Sequence, residues 1–127
     1  YPGIPELLAG LQAAGMRLAV ASNKFQAGTD KIIRRFFPGI DFRAVAGGRD
    51  GVPLKPDPTV VRDIMEAAGV PAERTAMVGD SATDMLTAKA AGICGIAVSW
   101  GFRPSEAAAE CSFRAATAAE LGSLLLG

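Results

Sequence analysis

The chain contains no histidine, and this absence removes a residue on which several kinds of catalysis depend. Ser-His and Cys-His nucleophilic catalysis are excluded, as is a zinc site built on imidazole. The two cysteines, Cys94 and Cys111, have neither the spacing of a metal site nor the pattern of a secreted disulfide scaffold. These observations favour a protein of the reducing cytoplasm.

Excess charge and long apolar segments are missing as well. The 127 residues include 13 basic and 13 acidic side chains, so the formal net charge is zero. This balance provides no electrostatic footprint for nucleic acid or for an anionic membrane surface. No apolar run approaches the ~20 residues that a membrane span requires. We therefore expect neither a nucleic-acid partner nor a membrane partner.

What the chain does contain is a regular alternation of apolar runs and helical spacings. The predicted strands are 16–21, 42–46, 75–78, 94–99 and 113–115, and the predicted helices are 5–14, 27–37, 58–68, 83–91, 105–110 and 118–126. Strands and helices that alternate with short connections indicate a parallel sheet with right-handed crossovers. The expected fold is one α/β domain over residues 1–127, a doubly wound, Rossmann-like sheet with helices on both faces.

Three polar side chains follow the first three predicted strands or lie in the loops that leave them. Ser22 ends the first strand, Lys55 lies in the Gly- and Pro-rich loop after the second, and Asp80 ends the third. Ligands of such sheets bind at the carboxyl ends of the strands, so we expect these groups to converge. A turn at Ser22 and a solvated Lys55 beside a helix cap are the alternative interpretations.

Two acids frame the start of the helix that follows the third strand, in the stretch "AMVGDSATDML". Ser81 and Asp84 fit a capping box, which explains Asp84 without any ligand. Capping does not explain Asp80, at the very end of the strand. Carboxylates with no His or Cys nearby suit magnesium, which keeps much of its water and takes one or two carboxylates. Asp80 and Asp84 are therefore the candidate metal ligands, and Mg²⁺ is the expected cofactor.

The order of these motifs is more specific than any one of them. The stretches "YPGIPELLAGLQAAGMRLAVASNK", "PLKPDP", "MVGDSATDMLTAKAAGI" and "AAELGSLLLG" resemble the haloacid dehalogenase-like hydrolase superfamily, in its phosphoglycolate-phosphatase-like branch. The resemblance covers the whole chain. It implies a magnesium-dependent phosphatase that acts on a small phosphorylated metabolite through an aspartyl-phosphate.

The resemblance also assigns roles to the candidate residues. The Ser22 hydroxyl and the Asn23 amide would hold the phosphate, and Lys55 would neutralise the phosphate and the nucleophile. Asp80 and Asp84 would hold magnesium, directly or through water. The catalytic set is then Ser22, Lys55 and Asp80, and the phosphate-binding set is Ser22, Asn23 and Lys55.

The nucleophile of that superfamily lies in a D-x-D motif on an earlier strand, before the cap. No two aspartates here are two positions apart; they are residues 30, 41, 50, 57, 63, 80 and 84. We therefore expect a partial core, without its first strand and cap, that is inactive alone. The missing strand would lie between the strand ending at Ser22 and the one ending at Asp80. The unpaired edges on either side of it favour self-association through that slot.

Two other classes of function remain. A receiver domain also uses acids, a hydroxyl and a Lys at a sheet edge, but in the order acids, hydroxyl, Lys, which is not the order found here. A catalytically silent module that binds phosphate or metal is compatible with the missing nucleophile. Within the superfamily, a dehalogenase is disfavoured because its chemistry requires no metal. The substrate is selected largely by the cap, so phosphoglycolate is the expectation by resemblance alone.

Overall fold

The structure, a computed structural model, describes residues 3–100 and 112–126. Its strands are β1 (Leu18–Phe25), β2 (Phe42–Gly48), β3 (Ala76–Gly79), β4 (Cys94–Val98) and β5 (Phe113–Ala115). Its helices are α1 (Ile4–Ala13), α2 (Gln26–Phe36), α3 (Thr59–Ala68), α4 (Ala82–Ala91) and α5 (Ala118–Leu126), with a 3₁₀ turn at Ala72–Arg74. The helix predicted at 105–110 and Cys111 lie outside the described residues.

The five strands form two parallel sheets. β1 pairs with β2, and the second sheet has the order β3-β4-β5. Among the described residues, β1 and β3 each pair with a strand on one side only, and these are the two strands expected to flank the missing strand. The prediction of an α/β fold with parallel strands is confirmed.

Helices cover both faces of the second sheet. Ile96 and Val98 of β4 pack in a cluster with Ala115 and Leu121, against which Leu7 of α1 is also packed. Ala97, which lies between them in sequence, contacts Met85 of α4 instead. Neighbouring residues of a strand point to opposite faces, so the apolar run of β4 supplies both cores.

One core cluster joins the two sheets. Buried residues of β2, α3 and α4 form this cluster: Ala46, Val60, Val61, Ala88 and Ala91. Ala21 of β1 and Met77 of β3 pack against it, one from each sheet. A hydrogen bond from the Arg62 guanidinium to the Ala90 carbonyl, 3.0 Å long, also connects α3 to α4. The helix pair α3–α4 therefore holds β1 and β3 on one framework although the strands do not pair.

Helix ends follow the local sequence signals. Gly69 and Gly92 adopt left-handed conformations, with φ of 68° and 74°, and end α3 and α4 as predicted. α3 begins one residue later than predicted, with Pro58 at its N-cap, and Asp57 accepts a hydrogen bond from the Thr59 N–H at 2.9 Å. In the described ranges no helix combines the length and the apolar character needed to cross a bilayer.

Candidate active site

Lys55 connects the end of β1 to the start of α4. Its Nζ donates to the Ala21 carbonyl at 3.0 Å and to Asp84 Oδ1 at 2.5 Å. The Lys55 side chain is 10% exposed and the Asp84 side chain 12% exposed, so the ion pair is largely removed from solvent. Lys55 is thus an ammonium held at a defined point, rather than a solvated side chain beside a helix cap.

Asp84 collects donors from several parts of the chain. Its Oδ2 accepts from the Ser81 hydroxyl at 3.1 Å and from the Asp80 N–H at 3.3 Å, and its Oδ1 accepts from Lys55. Ser81 in turn caps α4, because its Oγ accepts the Asp84 N–H at 3.3 Å. The capping interpretation of Ser81 and Asp84 therefore describes the backbone correctly, but it leaves out the ion pair with Lys55.

Gly79 is required by the position of Asp84. A Cβ built on Gly79 would overlap the Asp84 side chain. The absence of a side chain at residue 79 lets the carboxylate lie against the end of β3, where it reaches both Lys55 and the Asp80 N–H.

Ser22 lies within β1, and its side chain bonds to the backbone two residues further along the chain. Its Oγ accepts the Lys24 N–H at 3.1 Å, as in the turn that the sequence offered as the alternative interpretation. An accepted hydrogen bond occupies a lone pair of the hydroxyl and leaves its proton as a donor. The arrangement is compatible with a turn and with a donor to an anion.

Asn23 makes contacts that the sequence did not indicate. Its Oδ1 accepts the Lys55 N–H at 2.9 Å and its Nδ2 donates to the Lys55 carbonyl at 3.1 Å, across 32 residues of chain. Ser22, Asn23 and Lys55 are thereby brought to one edge. A narrow cleft beside them is lined by Ser22 and Asn23 together with Gly47, Gly48 and Arg49.

A second side-chain amide was also missed. Gln26, the first residue of α2, donates to the Val45 carbonyl and accepts the Gly47 N–H, both at 2.7 Å. These two hydrogen bonds connect the start of α2 to the backbone of β2. A Cβ at Gly47 would collide with the backbone of Gln26 and the Lys24 carbonyl, which explains a Gly at that position. No local sequence pattern predicts the hydrogen bonds of the Asn23 and Gln26 side chains, because their partners lie about 20 to 32 residues away.

The donor chemistry at this edge fits a hard cation. Asp80 and Asp84 supply carboxylate oxygens four residues apart, within the one or two carboxylates that magnesium takes in many sites. Among the described residues there is no group of three or more His, Cys, Asp or Glu side chains placed to hold a metal. The assignment of Asp80 and Asp84 as magnesium ligands stays a prediction.

The sequence profile of the haloacid dehalogenase-like hydrolases matches residues 1–98. The chain belongs to the haloacid dehalogenase-like hydrolases. Phosphoglycolate phosphatase of Pseudomonas syringae pv. tomato is 37% identical over 110 residues, which are 87% of this chain and 40% of that protein. Phosphoglycolate phosphatase of Mesorhizobium japonicum is 41% identical over 102 residues, which are 80% of this chain and 45% of that protein.

Solved structures of the superfamily share the fold. A protein from Lactobacillus delbrueckii subsp. bulgaricus superposes with a TM-score of 0.92 at 31% identity, covering 100% of this chain and 54% of that one. CbbY from Rhodobacter sphaeroides, in complex with xylulose-(1,5)-bisphosphate, superposes with a TM-score of 0.82 at 32% identity over 95% of this chain and 55% of that one. The chain therefore spans about half the length of these members of the superfamily.

Proposed function

We propose that this chain is the phosphate- and metal-binding part of a magnesium-dependent phosphate monoester hydrolase of the phosphoglycolate-phosphatase type. The observation that carries the proposal is the position of the Lys55 ammonium. This group is held 2.5 Å from Asp84 and 3.0 Å from the Ala21 carbonyl, at the edge where Ser22 and Asp80 also lie. Membership of the haloacid dehalogenase-like hydrolases supports the reaction class.

In the proposed reaction an Asp carboxylate attacks the phosphorus of the ester. The new bond joins the carboxylate oxygen to phosphorus, the bond from phosphorus to the ester oxygen breaks, and the leaving alkoxide takes up a proton from solvent, which the attacking water of the second step returns. Water then cleaves the aspartyl-phosphate, which releases inorganic phosphate and restores the carboxylate. That Asp is expected in a D-x-D motif, which the 127 residues do not contain.

The residues of this chain would stabilise the negative charge on the phosphoryl group during its transfer. The Lys55 ammonium neutralises part of the negative charge on the phosphoryl oxygens, and the Ser22 hydroxyl and Asn23 N–H donate hydrogen bonds to them. Asp80 and Asp84 hold the magnesium, which when bound adds positive charge beside the transferring group. Asp84 also holds Lys55, so the ammonium and the metal would share one carboxylate.

The proposed substrate is a small phosphorylated metabolite. Phosphoglycolate is the first candidate because curated relatives are phosphoglycolate phosphatases, and a sugar bisphosphate is the second because CbbY was solved with one. A catalytically silent phosphate- or metal-binding module is the alternative function. Membership of the hydrolase superfamily decides against a receiver domain.

The test supplies a strand that carries the D-x-D motif. The chain is assayed for phosphate release from phosphoglycolate and xylulose-1,5-bisphosphate, alone and after addition of a segment that contains the D-x-D strand of a relative. A second segment, with the first Asp of that motif replaced by Asn, is the matched control. We expect release only with the intact motif and with magnesium. Binding of phosphate without hydrolysis in every mixture would favour the silent module and overturn the phosphatase.

The open edges of β1 and β3 suggest a partner for the isolated chain. Each strand pairs on one side only among the described residues, and Val78 of β3 is 41% exposed. Unpaired strand edges are templates for pairing with another chain. We propose that a second copy occupies them, and that the added strand segment displaces it. Sedimentation velocity should show a dimer or larger species alone and a monomeric complex with the segment; a monomer under both conditions contradicts self-association.

A further inference from the structure

We infer that the side-chain amide of Asn23 positions Lys55 for its role at the site, an inference that rests on the proposed function. The Asn23 side chain holds both backbone groups of Lys55, the N–H at 2.9 Å and the carbonyl at 3.1 Å. The backbone N–H of Asn23 is the group expected at the phosphate. Asn23 would thus act twice, through its backbone on the substrate and through its side chain on the catalytic lysine.

The chemistry of this contact requires an amide. Lys55 presents a donor and an acceptor, so its partner needs an acceptor and a donor close together on one short side chain. The orientation of the amide is fixed by the same requirement, because the Lys55 N–H must meet oxygen and the Lys55 carbonyl must meet nitrogen. An Asp at residue 23 retains the acceptor and has no donor, and an Ala has neither group.

The contact matters because Lys55 lies on a loop between β2 and α3. Its ammonium is held by Ala21 and Asp84, and its backbone is held by Asn23. Ala21 and Asn23 both belong to β1, on either side of Ser22. The predicted phosphate-binding segment and the ammonium are therefore held by the same strand.

The chain offers a matched control in Gln26. Its side-chain amide makes the same pair of bonds, one accepted and one donated, to backbone groups of Val45 and Gly47 on β2, and it also donates to Asp30 at 2.9 Å. Removing Gln26 therefore removes a comparable long-range amide contact that does not involve Lys55. The variants to compare are Asn23→Ala, Asn23→Asp, Gln26→Ala and Lys55→Ala, all in the whole chain.

The first measurement follows the Asp84 side-chain carboxyl by ¹³C NMR, because Asp84 Oδ1 receives the Lys55 ammonium. Lys55→Ala sets the size of the shift that accompanies loss of the ammonium. We expect Asn23→Ala to reproduce most of that shift, Asn23→Asp to reproduce part of it, and Gln26→Ala to leave the signal in place while lowering the melting temperature. An Asp84 signal unchanged by Asn23→Ala overturns the inference, whether or not the chain binds phosphate.

The second measurement is a double-mutant cycle on the affinity for inorganic phosphate, followed at the backbone amides of 22–24. Asn23→Ala should weaken binding about 10-fold in the wild-type background and less than about 2-fold in the Lys55→Ala background. Gln26→Ala should leave the affinity within about 2-fold in both. Equal losses in the two backgrounds contradict positioning through Lys55. A wild-type chain that binds no phosphate overturns the proposed function, and the Asp84 signal then decides separately on Asn23.

Discussion

The carboxylate of Asp84 lies against the backbone of Gly79, so closely that a Cβ at Gly79 would overlap the Asp84 side chain. The contact lets one carboxylate accept the Ser81 hydroxyl and the Asp80 N–H and pair with Lys55. The Gly-Asp pair at the end of β3 is thereby connected to the lysine on a distant loop. Three of the predicted site residues depend on one glycine.

Gly79→Ala should disrupt this arrangement. The added methyl group displaces Asp84 from the end of β3, because overpacking at a close backbone contact forces side chains and backbone to shift. We expect the free energy of unfolding to fall by about 1–3 kcal/mol. Urea denaturation followed by circular dichroism measures the change.

The matched control for that substitution is Gly10→Ala. Gly10 lies within α1 with no heavy atom near enough to contact an added Cβ. Replacing an interior helical Gly by Ala should stabilise the chain by roughly 0.5–1 kcal/mol. If the two substitutions changed the free energy of unfolding equally, the contact with Asp84 would not explain why residue 79 is glycine.

Magnesium should bind weakly at Asp80 and Asp84. Two carboxylates form a sparse ligand set, so we expect a dissociation constant in roughly the millimolar range. Titration of the chain with magnesium, followed by backbone amide shifts, should perturb 79–85. Asp80→Asn should abolish these shifts, whereas Asp63→Asn, on the exposed side of α3, should preserve them. Amides of 79–85 that do not move at saturating magnesium contradict the site.

Asp57 should make part of the stability dependent on pH. Its carboxylate accepts the Thr59 hydroxyl at 2.5 Å and the Thr59 N–H at 2.9 Å, and these bonds hold the pKa of Asp57 below its ordinary value of 3.8. A carboxyl with a lowered folded-state pKa stabilises the protein above its unfolded pKa, and this contribution disappears as the pH falls through the folded value.

Asp57→Asn tests that contribution. The variant should be less stable than wild type at neutral pH, and the difference should shrink as the pH falls below about 4 and through the lowered pKa of Asp57. Thr59→Val removes the hydroxyl donor and retains the backbone donor, so it should remove part of the pH dependence. A difference between wild type and Asp57→Asn that stays constant from pH of about 7 to about 3 would be inconsistent with the carboxylate as the cause.

The order of elements followed from local patterns in the sequence. Apolar runs predicted the five strands, and Gly69 and Gly92 ended their helices in the left-handed conformation expected of glycine there. The convergence of Ser22, Lys55 and Asp80 was predicted from the topology, because parallel strands place their carboxyl ends at one edge. The structure shows Lys55 in contact with Ala21, next to Ser22, and with Asp84. These predictions depended on short-range chemistry and a general rule of sheet architecture.

Contacts between distant segments did not follow from the sequence. Asn23 reaches Lys55 across 32 residues, and nothing near Asn23 indicates which backbone its amide will meet. Strand β1 continues to Phe25, beyond the predicted end at Ala21, because Phe25 pairs with Gly48 of β2 after an irregularity between Ala21 and Phe25. Such pairing depends on the partner strand, and the β-propensity of the residues in β1 carries no information about that strand.

The contribution of Lys55 to phosphoryl transfer is measured most directly in the chain supplied with the D-x-D segment. Phosphate release from phosphoglycolate is compared for wild type, Lys55→Ala and Lys31→Ala, where Lys31 is an exposed lysine of α2. Lys55→Ala should lower turnover by about 100-fold or more, because charge stabilisation at the transferring group is a major catalytic term. Lys31→Ala should retain wild-type turnover. Equal turnover in Lys55→Ala and wild type would contradict a role for Lys55 in the reaction.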